Sequence, residues 1–162
     1  MRIVVLSDTH IANQRKQLPQ QLIQELKQAD AIIHAGDWVS LSVYEQLKTF
    51  APVKGVYGNV DGIEIRNQFP EKELLTFNGY RIGVVHGHGY NKTTEQRAFD
   101  AFADEEVDAI IFGHSHIPYI RYYKKVMMLN PGSPTDKRAQ PYYSFAILHL
   151  DKEIRAEFIF FE

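Results

Sequence analysis

Apolar and polar residues follow two different periods in the first half of the chain. Three compact apolar runs predict buried strands at residues 2–6, 31–34 and 53–57. Two stretches between these runs carry apolar residues at helical spacing. They predict one helix over residues 19–27 and a second helix that begins at Ser40. This βαβαβ order predicts a parallel sheet with helices packed against it.

The second half of the chain consists mainly of strand patterns. Asn78-Gly79 separates two apolar runs at 74–77 and 81–85, which predicts a short hairpin. A helix is predicted over 93–103, where Thr93 and Gln96 have the spacing of a capping box. Five further strands are predicted at 109–112, 119–123, 126–129, 143–150 and 154–161. Together these elements predict a four-layer α-β-β-α sandwich, with two mixed sheets face to face and helices outside.

Composition narrows the classes of function. The chain has 162 residues, 44% of them hydrophobic, which suits a single domain covering residues 1–162. It has no cysteine, which excludes disulfides, thiolate nucleophiles and cysteine-type zinc sites. The net charge of -2 gives no strong nucleic-acid signature. No apolar run approaches the length of a membrane span, and the first residues read as a strand instead of an export signal, so we expect a cytoplasmic protein with no membrane partner.

Polar residues suited to metal binding follow five of the predicted strands, usually beside glycine. In an α/β sheet the ligand lies beyond the carboxyl ends of the strands, so these side chains can converge on one rim. Imidazole, carboxylate and amide oxygen suit Mn²⁺, Fe, Zn²⁺ or Ni²⁺. Seven such ligands exceed the needs of one ion and fit two, which could clamp a phosphoryl group. The five segments read Asp8-Thr9-His10, Gly36-Asp37, Gly58-Asn59-Val60-Asp61, His86-Gly87-His88 and Gly113-His114-Ser115-His116.

These five segments, in this order, resemble the pattern of the calcineurin-like metallophosphoesterases. The resemblance runs from Asp8 to His116, and the later 130–133 segment, Asn-Pro-Gly-Ser, is similar to a feature of the small bacterial phosphodiesterases. It implies two divalent metal ions, with Mn²⁺ favoured and Ni²⁺, Fe²⁺ or Zn²⁺ as alternatives. It also implies a phosphodiesterase in which a metal-bridging hydroxide attacks phosphorus in line, with a small phosphoester as substrate.

The same resemblance implies a role for each residue. Asp37 would bridge the two metals, while the other ligands divide between them. Asp37, Asn59 and His88 are the predicted catalytic residues. The predicted metal ligands are Asp8, His10 and His116 for one ion, Asn59, His86 and His114 for the other, and Asp37 for both.

One position departs from the family pattern. Larger members often carry a histidine where this chain has Val60, and that histidine is thought to protonate the leaving oxygen. Valine cannot transfer a proton, so we expect His88 or a metal-bound water to substitute. Asp61 is interpreted either as a residue that orients a ligand or as ordinary turn polarity. His34 is interpreted as a structural histidine or one that supports a ligand, and His149 as unrelated to the site.

A second interpretation belongs to a different class of function. The small members of the superfamily include Vps29, so the chain could be a protein-interaction scaffold with an inactive or vestigial metal site. The intact set of ligands argues against this alternative. A metal-storage protein is a weaker third hypothesis, because storage does not require two ions to be bridged at an open edge of the sheets. Exposed strand edges would also allow a homo-oligomer.

Overall fold

The computed structural model describes residues 1–12 and 17–162 of the chain. In these ranges the chain forms ten strands and four short helices. The strands are β1 (Arg2–Leu6), β2 (Ala31–His34), β3 (Val53–Gly55), β4 (Lys72–Phe77), β5 (Tyr80–Val85), β6 (Ala109–Ile111), β7 (Tyr119–Tyr123), β8 (Val126–Asn130), β9 (Tyr143–Leu150) and β10 (Ile154–Phe161). The helices are α1 (Gln20–Leu26), α2 (Leu41–Leu47), α3 (Ile63–Gln68) and α4 (Thr94–Asp100).

Two five-stranded sheets contain all ten strands. The first has the order β10-β9-β1-β2-β3, and the second has the order β4-β5-β6-β8-β7. Both are mixed: β1, β2 and β3 run parallel, whereas β9 runs antiparallel to β1. In the second sheet β5, β6 and β8 run parallel, and β4 and β7 form the antiparallel edges. The parallel strands of each sheet therefore have their carboxyl ends on one rim.

Three apolar clusters separate the layers. One lies between the two sheets and includes Ile3, Ile33 and Ile111, all essentially inaccessible to solvent. A second packs α1, α2 and α3 on the outer face of the first sheet, and a third packs α4 on the outer face of the second. The predicted four-layer sandwich is confirmed. None of the helices in the described ranges is both long and apolar enough to cross a membrane.

Local sequence explains how two of the helices begin. The Ser40 hydroxyl accepts a hydrogen bond from the Ser42 N–H, which satisfies one of the free donors in the first turn of α2. Thr93 and Gln96 form the predicted capping box at the start of α4. This prediction is confirmed, because a capping box depends only on residues that are close in the sequence.

The predicted elements differ from the observed ones mainly at their ends. The strands at 119–123, 143–150 and 154–161 have the predicted bounds, whereas the helix predicted over 93–103 is shorter, at Thr94–Asp100. Helix α3 was not predicted. Its six residues bury only Ile65, so it has no repeating apolar pattern to detect.

Candidate metal centre

The predicted ligands lie at the carboxyl ends of strands from both sheets. Asp8 and His10 follow β1, Asp37 follows β2, and Asn59 follows β3. His86 follows β5 directly, and His114 and His116 follow β6. Because the two sheets are stacked face to face, these strand ends bring together side chains that are distant in the sequence, such as those of Asp8 and His116.

Two groups of side chains have the spacing needed to hold a metal ion. Asp8, His10 and His116 form one group, and Asp8, Asp37 and His86 form the other, with the ligand atoms of each group within 4.8 Å of one another. The His116 Nε2 lies 3.5 Å from Asp8 Oδ1. The His86 Nε2 lies 3.2 Å from Asp37 Oδ2, and the His10 Nε2 lies 3.4 Å from the same oxygen. Asp8 and Asp37 thus lie between the histidines.

The two remaining ligands lie on the more exposed side of the centre. The His114 Nδ1 is 3.1 Å from Asn59 Oδ1, and the His114 ring lies 5.3 Å from the His86 ring between centroids. The structure therefore brings all seven predicted ligands together.

The histidine nitrogens provide a test of whether this donor set fits metal ions. Among the described residues, the Nε2 atoms of His10, His86 and His116 are buried and have no hydrogen-bond partner. His86 and His116 also place their Nδ1 atoms against backbone carbonyls, those of Ala35 and Asp136. A carbonyl only accepts, so each Nδ1 carries a proton, and once Nε2 is deprotonated its lone pair is available to a metal ion. Unpaired buried nitrogens are costly unless a ligand satisfies them, so the donor set fits divalent cations.

Five of the ligands have left-handed backbone conformations, which non-glycine residues seldom adopt. The φ angles of Asp8, His10, Asp37, His114 and His116 lie between 46° and 68°. Backbone hydrogen bonds hold this arrangement: Asp8 N–H donates to Gly36 O at 2.9 Å, and His10 N–H donates to Asp37 O at 3.1 Å. Such strain concentrates at functional sites, where the surrounding structure maintains it.

Two glycines permit backbone to pass directly beside the carboxylates. A Cβ at Gly58 would lie 2.0 Å from Asp37 Oδ1, and a Cβ at Gly113 would lie 2.7 Å from Asp8 Oδ2. Neither position can hold a larger residue unless the ligand loop moves. This close approach is the reason for the glycines that accompany the ligands in the sequence.

The segment after β8 makes hydrogen bonds to the ligand loops that were not predicted from the sequence. The Ser133 hydroxyl donates to Asp8 O at 2.7 Å, and the Thr135 hydroxyl donates to Thr9 O. The Asn130 amide donates to Gly113 O at 2.8 Å. The Asn-Pro-Gly-Ser turn therefore supports the backbone of two ligand loops, and its resemblance to a family feature was the one signal that pointed to it.

Several other predicted residues have clear positions. His34 is buried, contacts Thr9 Oγ1 through Nε2 at 3.1 Å and stacks on Trp38, as expected for a structural histidine. His149 contacts Glu157 on the first sheet. The His88 ring lies 5.6 Å from the His86 ring, and its buried Nδ1 has no partner among the described residues. Val60 is about half exposed at the rim.

The carboxylates have strongly shifted pKa values in the metal-free centre. Burial raises the pKa of Asp8 from 3.8 to about 7. Burial also opposes ionisation of Asp37, but contact with His86 outweighs it and lowers the pKa of Asp37 to about 2. Contact with Asp37 and Asp8 overcomes burial and raises the pKa of His86. The raised pKa values of Asp8 and His86 favour their protonated forms, which offsets part of the negative charge.

Comparison with known proteins agrees with this geometry. The profile of the calcineurin-like phosphoesterase superfamily domain matches residues 1–153. A probable metallophosphoesterase of Methanothermobacter thermautotrophicus is 36% identical over 157 residues, covering 94% of this chain and 88% of the relative. A second probable metallophosphoesterase, from Methanocaldococcus jannaschii, is 35% identical and covers 98% of this chain and 81% of the relative.

Solved structures share the fold along the whole chain. A structure described as a novel archaeal phosphodiesterase has a TM-score of 0.74 at 24% identity, covering 98% of this chain and 100% of that chain. Vps29 of Entamoeba histolytica in complex with Zn²⁺ has a TM-score of 0.74 at 23% identity, covering 100% of each chain. Since these two likenesses concern the fold alone, the family assignment depends on the profile and the closer relatives. By this match over nearly the full sequence, the chain belongs to the calcineurin-like phosphoesterase superfamily.

Proposed function

We propose that this protein is a metal-dependent phosphodiesterase with a dinuclear centre. The observation that carries the proposal is the set of three buried Nε2 atoms, on His10, His86 and His116, that face Asp8 and Asp37 without a hydrogen-bond partner among the described residues. A centre built only to support a fold would leave these nitrogens unpaired at a cost in stability.

Each ligand has an assigned place in the proposal. Two divalent ions, with Mn²⁺ favoured, would supply the positive charge that stabilises a phosphoryl transition state and would activate the attacking water. One ion would be held by Asp8, His10 and His116, and the other by Asn59, His86 and His114. The Asp37 Oδ2 atom lies 3.4 Å from His10 Nε2 and 3.2 Å from His86 Nε2, and Asp37 would contact both ions.

His88 is proposed to act on the leaving oxygen of the substrate. Burial and the neighbouring His86 charge lower the pKa of His88, so its ring is neutral near pH 7. A neutral imidazole keeps one N–H, which can donate a hydrogen bond to the leaving oxygen. Val60, where larger family members often have histidine, offers no such donor.

The test begins with metal-free protein, to which Mn²⁺ is added. We expect hydrolysis of bis-p-nitrophenyl phosphate, faster than that of the matching monoester, and two bound metal ions per chain by elemental analysis. Asp37→Asn should abolish turnover, because the variant loses the carboxylate that would contact both ions. Asp104→Asn, an exposed carboxylate on the surface, serves as the matched control and should retain activity.

The fold fits a second class of function about equally well. Vps29 structures match this chain with TM-scores close to that of the archaeal phosphodiesterase. A Vps29-like scaffold would keep the fold without catalysis. If folded protein shows no turnover with Mn²⁺, Ni²⁺, Fe²⁺ or Zn²⁺, the phosphodiesterase proposal is wrong and the scaffold is favoured.

A further inference from the structure

The segment between β8 and β9 carries an arginine to the edge of the centre. Hydrogen bonds tie residues 133–136 to the backbone of Asp8 and Thr9 and to the His116 ring. Arg138 follows two residues later. The start of this segment is therefore anchored to the loop that carries Asp8 and His10.

Arg138 approaches the centre from behind the His116 ring. Its Nε lies 4.0 Å from Asp136 Oδ2, and that oxygen lies 3.8 Å from His116 Nδ1. The opposite ring nitrogen, Nε2, faces Asp8 in the centre. The φ angle of Arg138 is 47°, a left-handed conformation that a non-glycine residue adopts only where its surroundings impose it.

Two other arginines near the centre are held by contacts within the protein. Arg97 donates to three oxygens of neighbouring residues. Arg66 donates to Asp61 O at 2.8 Å and covers the Tyr57 ring. Arg138 has a side chain that is 54% exposed, and within the described part of the chain its one ion-pair contact is the 4.0 Å approach to Asp136. Its guanidinium fork therefore has donors available for an external oxyanion.

We propose that Arg138 binds a second oxyanion group of the substrate, separate from the phosphate that reacts, and thereby selects phosphoesters that carry such a group. The inference rests on the proposed function, because the reacting phosphate would lie among the metal ligands. Arg138 lies behind His116, outside that ring of ligands, so its partner must be a group elsewhere on the substrate.

The kinetic test compares two esters that differ by one phosphate: thymidine 5′-(p-nitrophenyl phosphate) with and without a 3′-phosphate. In the Mn²⁺-loaded protein, Arg138→Gln should raise KM for the 3′-phosphorylated ester by roughly tenfold, the loss typical of a charge-assisted hydrogen bond, and leave kcat nearly unchanged. The KM of Arg138→Lys for this ester should fall between those of the wild type and Arg138→Gln. Lysine keeps the positive charge but loses the paired N–H donors of the guanidinium. Lys137→Ala is the matched control, since Lys137 Nζ donates to Pro141 O at 3.0 Å and covers the Tyr143 ring.

A binding test does not depend on turnover. Phenylglyoxal labels exposed arginines, and mass spectrometry reads the extent of labelling at each residue. Thymidine 3′,5′-bisphosphate or pyrophosphate should protect Arg138 more than thymidine 5′-monophosphate does. Arg155, whose side chain is 63% exposed on the first sheet, is the internal reference.

The outcomes separate this inference from the proposed function. An equal KM change for the two esters, or no change for either, would overturn the role of Arg138 while leaving the phosphodiesterase intact. If the wild type cleaves neither ester, the proposed function fails and the labelling decides: equal protection by the mono- and bisphosphate would overturn the inference.

Discussion

The Asp61 carboxylate accepts a hydrogen bond from the backbone N–H of Asp37, with the Oδ2 atom 3.0 Å from the nitrogen. The same oxygen accepts the Gly58 N–H at 2.7 Å, and Oδ1 accepts the Val39 N–H at 2.7 Å. Asp61 is only 3% exposed, so this carboxylate joins two ligand loops within the protein interior. Of the two interpretations of Asp61, the structure agrees with the one in which it orients a ligand.

Replacing Asp61 should therefore weaken both the fold and the centre. Asp61→Ala leaves three backbone N–H groups without their acceptor, and we expect a loss of at least about 2 kcal/mol in the free energy of unfolding. Urea denaturation of the metal-free protein measures this loss, and calorimetry should show weaker Mn²⁺ binding. Glu64→Ala, an exposed acid in α3, is the control and should change neither quantity. Unchanged metal affinity in Asp61→Ala would refute the positioning role.

The glycine beside Asp8 provides a second test. In Gly113→Ala the added Cβ would lie 1.8 Å from Ser7 Oγ and 2.7 Å from Asp8 Oδ2, so the loop must shift. We expect a destabilisation of roughly 1–3 kcal/mol and reduced metal affinity. Gly62→Ala is the matched control, because a Cβ there would meet no atom within 4 Å. If both variants behave like the wild type in thermal unfolding and metal titration, the close approach of the Gly113 backbone to Asp8 contributes neither to stability nor to metal binding.

Metal binding should release protons in a pH-dependent way. The folded metal-free protein keeps a proton on Asp8 up to about pH 7, whereas an unfolded chain releases it near 3.8. The stabilisation from this proton is fully present below the unfolded pKa and is lost as the pH rises through about 7. A metal ion needs the ionised carboxylate, so Mn²⁺ affinity should rise as the pH approaches 7 and then level off.

Calorimetry in buffers with different ionisation enthalpies counts the protons released. We expect more protons per bound Mn²⁺ at pH 6 than at pH 8. Loss of the His86 proton, whose pKa is also raised, adds to the release. Asp8→Asn should reduce the number released at pH 6, and an unchanged number would contradict the assignment to Asp8.

The role proposed for His88 predicts a dependence on the leaving group. p-Nitrophenolate is a good leaving group and depends little on a proton donor. Phenolate is a poorer leaving group and needs a proton donor at the departing oxygen. His88→Asn should therefore slow hydrolysis of the phenyl ester by up to about a hundredfold and affect the p-nitrophenyl ester far less. His149→Asn, a histidine paired with Glu157 on the first sheet, is the control. An equal decrease for both esters would indicate that His88 has a structural role instead.

Features that depend on neighbouring residues were predictable from the sequence. The Thr93 capping box and the strands β7, β9 and β10 follow from local spacing and alternation. The convergence of the predicted ligands could be anticipated for a related reason. Each of them lies within five residues after a strand, and parallel strands end on a common rim.

Tertiary structure decided the features that depend on contacts between distant segments. The left-handed conformations of Asp8 and His10 have no local signal, because bonds to the loop after β2 impose them. Arg138 lies near His116 because residues 133–136 bond to the loop after β1 and to the His116 ring. The sequence by itself determined which side chains could bind metal, since chemistry and strand order are local properties. Only the folded chain determined how those side chains are oriented and supported, because the backbone and carboxylate groups that hold them come from segments far apart in the sequence.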